Sequence, residues 1–119
     1  MTDDQLALCP RFHRAVELIG RRWAGAILQL LTNGRLRYAA LKATIPDISD
    51  RMLSERLREL EAEGVVRRIV TPETPVRVEY ELTKKGRELG AALEAIGRWA
   101  EEWIEPAGAR ARGRKRRSA

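Results

Sequence analysis

Asp50, Arg51, Ser54, Glu55 and Arg58 follow one another at spacings that put all five on one side of a helix. Acids, a hydroxyl and guanidiniums in that arrangement suit recognition by hydrogen bonds rather than bond-making. An arginine fork matches guanine O6 and N7, a glutamate accepts from cytosine N4, and a serine hydroxyl serves either kind of base. Arg51 stands near the start of this face and is the better candidate for reading bases. Arg58, two turns further on, is the better candidate for phosphate. Ser54 and Glu55 lie between them, beside Asp50 and the preceding Ser49. The competing reading is a solvated face, in which Glu55–Arg58 and Arg58–Glu59 or Arg58–Glu61 are surface pairs. Catalysis finds little support. There is one histidine, His13, one cysteine, Cys9, no glycine loop of the kind that cradles phosphate and no nucleophile–base set. One Cys and one His cannot close a four-ligand metal site, so neither metal nor cofactor is expected.

The element that must position these residues spans 48–70, ISDRMLSERLRELEAEGVVRRIV. Ser49 is a good N-cap, since its hydroxyl can accept from first-turn N–H groups. Ile48 and Leu53 occupy the staple positions around it. Leu53, Leu57 and Leu60 repeat at helical spacing and form the buried stripe. Gly64 supplies a left-handed stop. Arg56, beside the stripe, is expected to pair with an acid across the domain.

Ahead of this helix, Pro10 opens a first helix ending at Gly20, with Phe12, Ala15, Val16, Leu18 and Ile19 as its apolar face. A second helix is expected over 22–31 and stops at Asn33-Gly34. Tyr38 to Thr44 reads as a third, with Leu41 and Ile45 inward. Arg35, Arg37 and Tyr38 lie at its start, placed either for phosphate or as plain surface charge. Beyond Gly64, residues 65–70 and 76–82 read as two strands joined through Pro72 and Pro75, which cannot sit inside a ladder. Arg77, at the return of this hairpin, is placed for DNA backbone or an A·T-rich minor groove. Only one of Arg67 and Arg68 can face a given side of its strand.

Thr83 then caps a last helix over about 84–104, long enough to reach ~30 Å. Leu89, Leu93, Ile96, Ala100 and Trp103 follow a four-three-four-three spacing, with Trp99 beside them. The expectation is a dimer seam formed by two such helices. The alternative is a terminal helix packed on its own domain.

Charge is informative by its location. The chain has 119 residues and a formal net charge of +6. Six of its 23 basic residues lie in 107–119, so 17 face 17 acids in residues 1–106. The body is neutral, and its pI is no argument for nucleic-acid binding. Residues 1–8 are expected to be flexible, 9–105 to form one domain, and 106–119 to be a disordered basic tail. No apolar run suits a membrane span or a signal peptide, and a cytoplasmic protein is expected.

Helix, helix, helix, recognition helix, strand, strand, long helix gives a mostly α fold with a small β-hairpin wing: a winged helix-turn-helix with a long C-terminal dimerisation helix. Cys9-Pro10, Ile19-Gly20 with Trp23, Ile48-Ser49 with Met52-Leu53, and Arg56-Leu57 occur in order. Leu60-Glu61 with Gly64-Val65, Pro75 with Val78-Glu79-Tyr80, Leu82-Thr83 and Gly86 follow. This ordered set resembles the HxlR-type family of bacterial transcriptional regulators over about residues 7–104. The resemblance implies a homodimer on a near-palindromic double-stranded operator. The 49–63 helix would lie in the major groove and the 71–77 wing on flanking DNA.

Cys9 precedes Pro10 at a helix start, where the helix end and nearby Arg11 and Arg14 favour a thiolate. Some HxlR-type regulators sense oxidants or electrophiles through a cysteine at the matching place, and an oxidant or small-molecule effector is an expectation here. The alternative is an inert small hydrophobe. Two other functions stay open: a winged helix used for protein contact, and nonspecific nucleic-acid binding driven by the tail, which would show a steep salt slope.

Overall fold

The computed structural model describes residues 8–106. Expectations about residues 1–7 and 107–119 lie outside the described part. The elements run α1 (Pro10–Gly20), α2 (Ala24–Leu31), β1 (Leu36–Arg37), α3 (Tyr38–Thr44), α4 (Asp50–Ala62), β2 (Val66–Thr71), β3 (Arg77–Leu82) and α5 (Lys84–Trp103). The expected α-rich architecture with a wing is present, with two differences.

The first is a third strand. β1 pairs antiparallel with β3, Leu36 opposite Tyr80 and Arg37 opposite Glu79, giving the order β1-β3-β2. Two residues are too few to display a period, so β1 leaves no pattern in the sequence. It exists because β3 offers it a free edge.

The second is the start of α2, at Ala24 rather than Arg22. Trp23 takes a left-handed backbone, φ 74°, a conformation uncommon for a side chain of that size. The surroundings hold it there. The Arg22 carbonyl accepts from Arg56 Nε at 2.8 Å, and Ala24 N donates to Arg21 O at 3.0 Å. The Arg22 guanidinium lies 5.0 Å from the centroid of the Trp23 ring, within cation–π range.

The core is built mainly from α2, α3, α4 and the β2–β3 hairpin. Ile27, Leu28 and Leu31 come from α2, Leu41 from α3, and Leu53, Leu57 and Leu60 from α4. Tyr80 and Leu82 come from β3, while Ile45, Ile48 and Val65 close the junctions. Each fully buried side chain of this size contributes roughly 1.5–3 kcal/mol, so the stripes fix where the opposite helix faces point. The long helix α5 is locked on by glycines. A Cβ at Gly86 would lie 2.0 Å from the Val65 carbonyl oxygen, and one at Gly90 would lie 3.0 Å from Thr32 Cγ2.

α1 is the exception to this economy. None of its residues is buried. Leu18 and Ile19 rest partly on the core, while Phe12 and Val16 are 69% and 45% exposed.

Candidate nucleic-acid interface

α4 begins where the sequence places it. Ser49 Oγ accepts from Met52 N at 3.0 Å, and Ile48 and Leu53 are both buried beside that cap. It ends at Gly64, φ 78°. There Val65 N donates to Leu60 O at 3.1 Å and Gly64 N to Glu61 O at 2.9 Å, the paired bonds of a Schellman stop.

The inner face is fastened by more than leucines. Arg56, only 9% exposed, donates through Nε to the Arg22 carbonyl and through Nη1 to Glu59 Oε1 at 2.7 Å. Glu59 also meets Arg21 at 3.1 Å, and Glu63 meets Arg14 at 2.5 Å. The expectation for Arg56 is corrected in one respect: its acid lies on the same helix, and its partner across the domain is a carbonyl. The second half of α4 is thereby pinned to α1 and the α1–α2 corner.

The outer face points away from that core. The Arg51 side chain is 89% exposed, and its Nε lies 3.2 Å from Glu55 Oε1. Glu55 thus pairs back to Arg51 rather than forward to Arg58, and Arg58 is exposed with no ion pair among the described residues. Exposed pairs of this kind are worth about 0–1 kcal/mol. A phosphate or base edge can therefore take Arg51 from Glu55 at little cost.

Tyr38 is used differently from the expectation of phosphate contact. Its hydroxyl donates to Asp50 Oδ1 at 2.9 Å and lies 3.4 Å from Ser54 Oγ. Burial pushes this hydroxyl above its ordinary pKa; the bond with Ser54 opposes the shift and the one with Asp50 adds to it. The hydroxyl stays protonated and ties the start of α3 to the first two turns of α4. Asp50 and Ser54, both candidates for base contact, meet in this network.

Arg35 is engaged within the chain. Its Nη2 lies 2.9 Å from Glu81 Oε1 and its Nη1 3.8 Å from Glu79 Oε1. Arg67 meets the same Glu81. The bond from Arg67, and then that from Arg35, holds the Glu81 carboxyl below the usual carboxylate range. Arg35 therefore sits on the sheet with its charge already balanced. Arg37, the N-cap residue of α3, stays exposed. Arg77 is tied to Glu73 at 3.2 Å across the wing, with its Nε buried and without a hydrogen bond among the described residues.

Cys9 is exposed and occupies the N-cap position of α1, where its side chain makes no capping bond. The expected seam on α5 divides. Leu89 and Leu93 are half-buried and pack partly on the chain's own core, and Ala100 is half-buried. Ile96, Trp99 and Trp103 are 52%, 57% and 56% exposed. Phe12 and Val16 on α1 are exposed as well, although they belong to the face that the sequence marks as apolar. The signal for this exposure was present, because the apolar face of α1 is wider than a helix at the edge of so small a core can bury.

A family profile described as HxlR-like helix-turn-helix matches residues 18–108. The chain belongs to the HxlR-like helix-turn-helix family. Among its relatives, the Bacillus subtilis (strain 168) protein YvaP, described as an uncharacterised HTH-type transcriptional regulator, is 52% identical over 103 residues, covering 87% of this chain and 95% of YvaP. The HTH-type transcriptional regulator YodB of the same organism is 46% identical, covering 83% of this chain and 88% of YodB. The solved reduced form of YodB superposes with a TM-score of 0.73 at 44% identity, over 85% of this chain and 99% of that one. The redox regulator HypR in its oxidised form gives 0.77 at 35% identity, over 82% and 100%. This HxlR-type chain is a DNA-binding transcriptional regulator. Among its described residues no helix is long and apolar enough to cross a membrane, and no three His, Cys, Asp or Glu side chains converge as metal ligands.

Proposed function

We propose that two copies of this regulator bind one near-palindromic operator, each laying α4 in the major groove with Arg51 foremost. The carrying observation is the division of α4 into an inner face pinned by Arg56 and three leucines and an outer face led by an 89% exposed Arg51. A two-fold dimer would present two such faces about one helical turn apart, the spacing of operator half-sites. Arg37 and Arg58 take phosphate, and the wing with Arg77 follows the flanking backbone. Selecting bound fragments from random duplex DNA tests this. The reading predicts a recovered motif with two-fold symmetry and a preference of ~10³ or more over random duplex. Recovery without a motif would favour binding driven by charge alone.

The partner surface proposed for the second copy combines the outer end of α5, through Ile96, Trp99 and Trp103, with Phe12 and Val16 of α1. Exposed aromatics of this kind are enriched at the cores of interfaces. Trp99→Asp is expected to shift sedimentation from dimer toward monomer at micromolar concentration, with the helical content of the domain unchanged. An unaltered dimer would place the contact elsewhere.

Cys9 is proposed as the residue through which an oxidant or electrophile acts, in line with the redox-regulator relative HypR and with YodB, which has been solved diamide-treated and quinone-bound. DNA affinity should respond to a mild electrophile in the wild type and not in Cys9→Ser. Equal responses in the two would remove Cys9 from this role.

A further inference from the structure

Because α1 buries nothing of its own, it stands off from α5 and leaves a cavity of about 590 Å³ between them. Sites for small organic ligands occupy roughly 300–1,000 Å³. The walls are apolar: Ala15 and Leu18 from α1, Leu89 from α5, and Val65 from the turn after α4. The rim is cationic, with Arg11, Arg14 and Lys85 around a single carboxylate, Glu63. That carboxylate is already held by Arg14 at 2.5 Å, and Lys85 Nζ donates to the Glu63 carbonyl at 2.6 Å. Arg11 makes no ion pair among the described residues. A ligand with an apolar body and an anionic end matches both halves: its body removes apolar wall from water while its charge faces a surplus of cations.

We infer that this α1–α5 cavity binds a small apolar carboxylate, about the size of a bicyclic aromatic acid, and that binding is coupled to α4. The coupling runs through Glu63. Glu63 is the C-cap residue of α4, and Arg14 is its partner from α1. A ligand carboxylate at the rim competes for Arg14 and loosens one of the ties between α1 and α4. The coupling half of this inference rests on α4 being the DNA-reading element; the binding half does not.

The test uses the full chain and 2-naphthoate as probe, followed by calorimetric titration. Saturable binding at one probe per chain is expected, weakened at least tenfold for the neutral 2-naphthamide and for Arg11→Gln. Ala15→Leu, which pushes three more carbons into the cavity where the apolar body would lie, should abolish binding while thermal stability is retained. Equal binding of acid and amide, binding that survives Ala15→Leu, or no saturable binding up to millimolar probe would each overturn the site. If a second copy of the chain fills the groove instead, naphthoate will not bind and Ala15→Leu will weaken the dimer, which also overturns it. Affinity for the selected DNA is measured separately with and without probe. Binding of naphthoate without any change in DNA affinity would overturn the coupling alone. Failure to bind DNA at all would overturn the α4 reading and leave the naphthoate titration standing.

Discussion

Arg51→Ala is expected to erase most of the preference for the operator while leaving the dimer and its fold intact. A bidentate arginine–base pair is worth roughly 1–3 kcal/mol of discrimination. Two copies in a dimer double that, to about 2–6 kcal/mol, or ~30-fold to ~10⁴-fold at ~1.4 kcal/mol per factor of ten. A specific-to-random ratio of ~10³ falls to about 30 at the low end of that range and vanishes at the high end. The fold is spared, because among the described residues the only partner the side chain loses is Glu55 in an exposed pair, worth no more than about 1 kcal/mol. Arg58→Ala provides the contrast: removing a cation from a phosphate lowers affinity for every duplex alike and flattens the salt dependence. Titrations against operator and scrambled duplex at two salt concentrations separate these outcomes. Discrimination unchanged in Arg51→Ala would remove this residue from base reading. Parallel Glu55→Gln accounts for the carboxylate that Arg51→Ala leaves without its partner.

Gly86→Ala is expected to be the most damaging single-methyl change in the described chain. The added carbon would sit 2.0 Å from the Val65 carbonyl oxygen and 3.2 Å from Leu82 Cδ2. The obstacle is backbone, not a flexible side-chain end. That same oxygen accepts from Thr83 N at 3.1 Å, so moving it disturbs both the turn after α4 and the start of α5. Overpacking costs roughly 1–3 kcal/mol and occasionally more, and a rigid obstacle belongs at the top of that range. About 3 kcal/mol is a large part of a usual 5–15 kcal/mol stability. For a domain of this size it corresponds to a fall of about 12–24 °C in Tm. Gly97→Ala is the matched control on the same helix. Nothing lies within 4 Å of its Cβ position, and helix propensity alone should stabilise it by roughly 0.5–1 kcal/mol. Urea denaturation midpoints compare the two. A Gly86→Ala variant as stable as wild type would mean that α5 can slide off the turn freely.

What the sequence displayed and what it hid follow from the range of the forces involved. α4 was legible to the residue, because its cap, staple, stripe and stop are all local and all agree. The third helix and the cap of α5 at Thr83 were legible for the same reason. β1 was hidden because it exists only through pairing with β3, more than 40 positions away. The left-handed Trp23 was hidden because its cause is Arg56, on another helix. At the candidate interface, residue types revealed who could recognise DNA but not who was already engaged. Arg35 and Tyr38 looked free in the sequence, and Glu81 and Asp50 turned out to hold them. Charge pairs between strands or between helices carry no fixed spacing, so no pattern announces them.

The weakly seated α1 also bears on how order is distributed through the molecule. A helix that buries no residue of its own has little to oppose its detachment, and segments of that kind open with free energies far below that of the whole domain. Its backbone amides should exchange with solvent long before those of α2 or α4. Any second chain that covers Phe12 and Val16 closes that exchange by mass action. The persistence of the segment next to Cys9 then becomes a function of protein concentration, and the rate at which the thiol meets a reagent reports on assembly as well as on redox conditions.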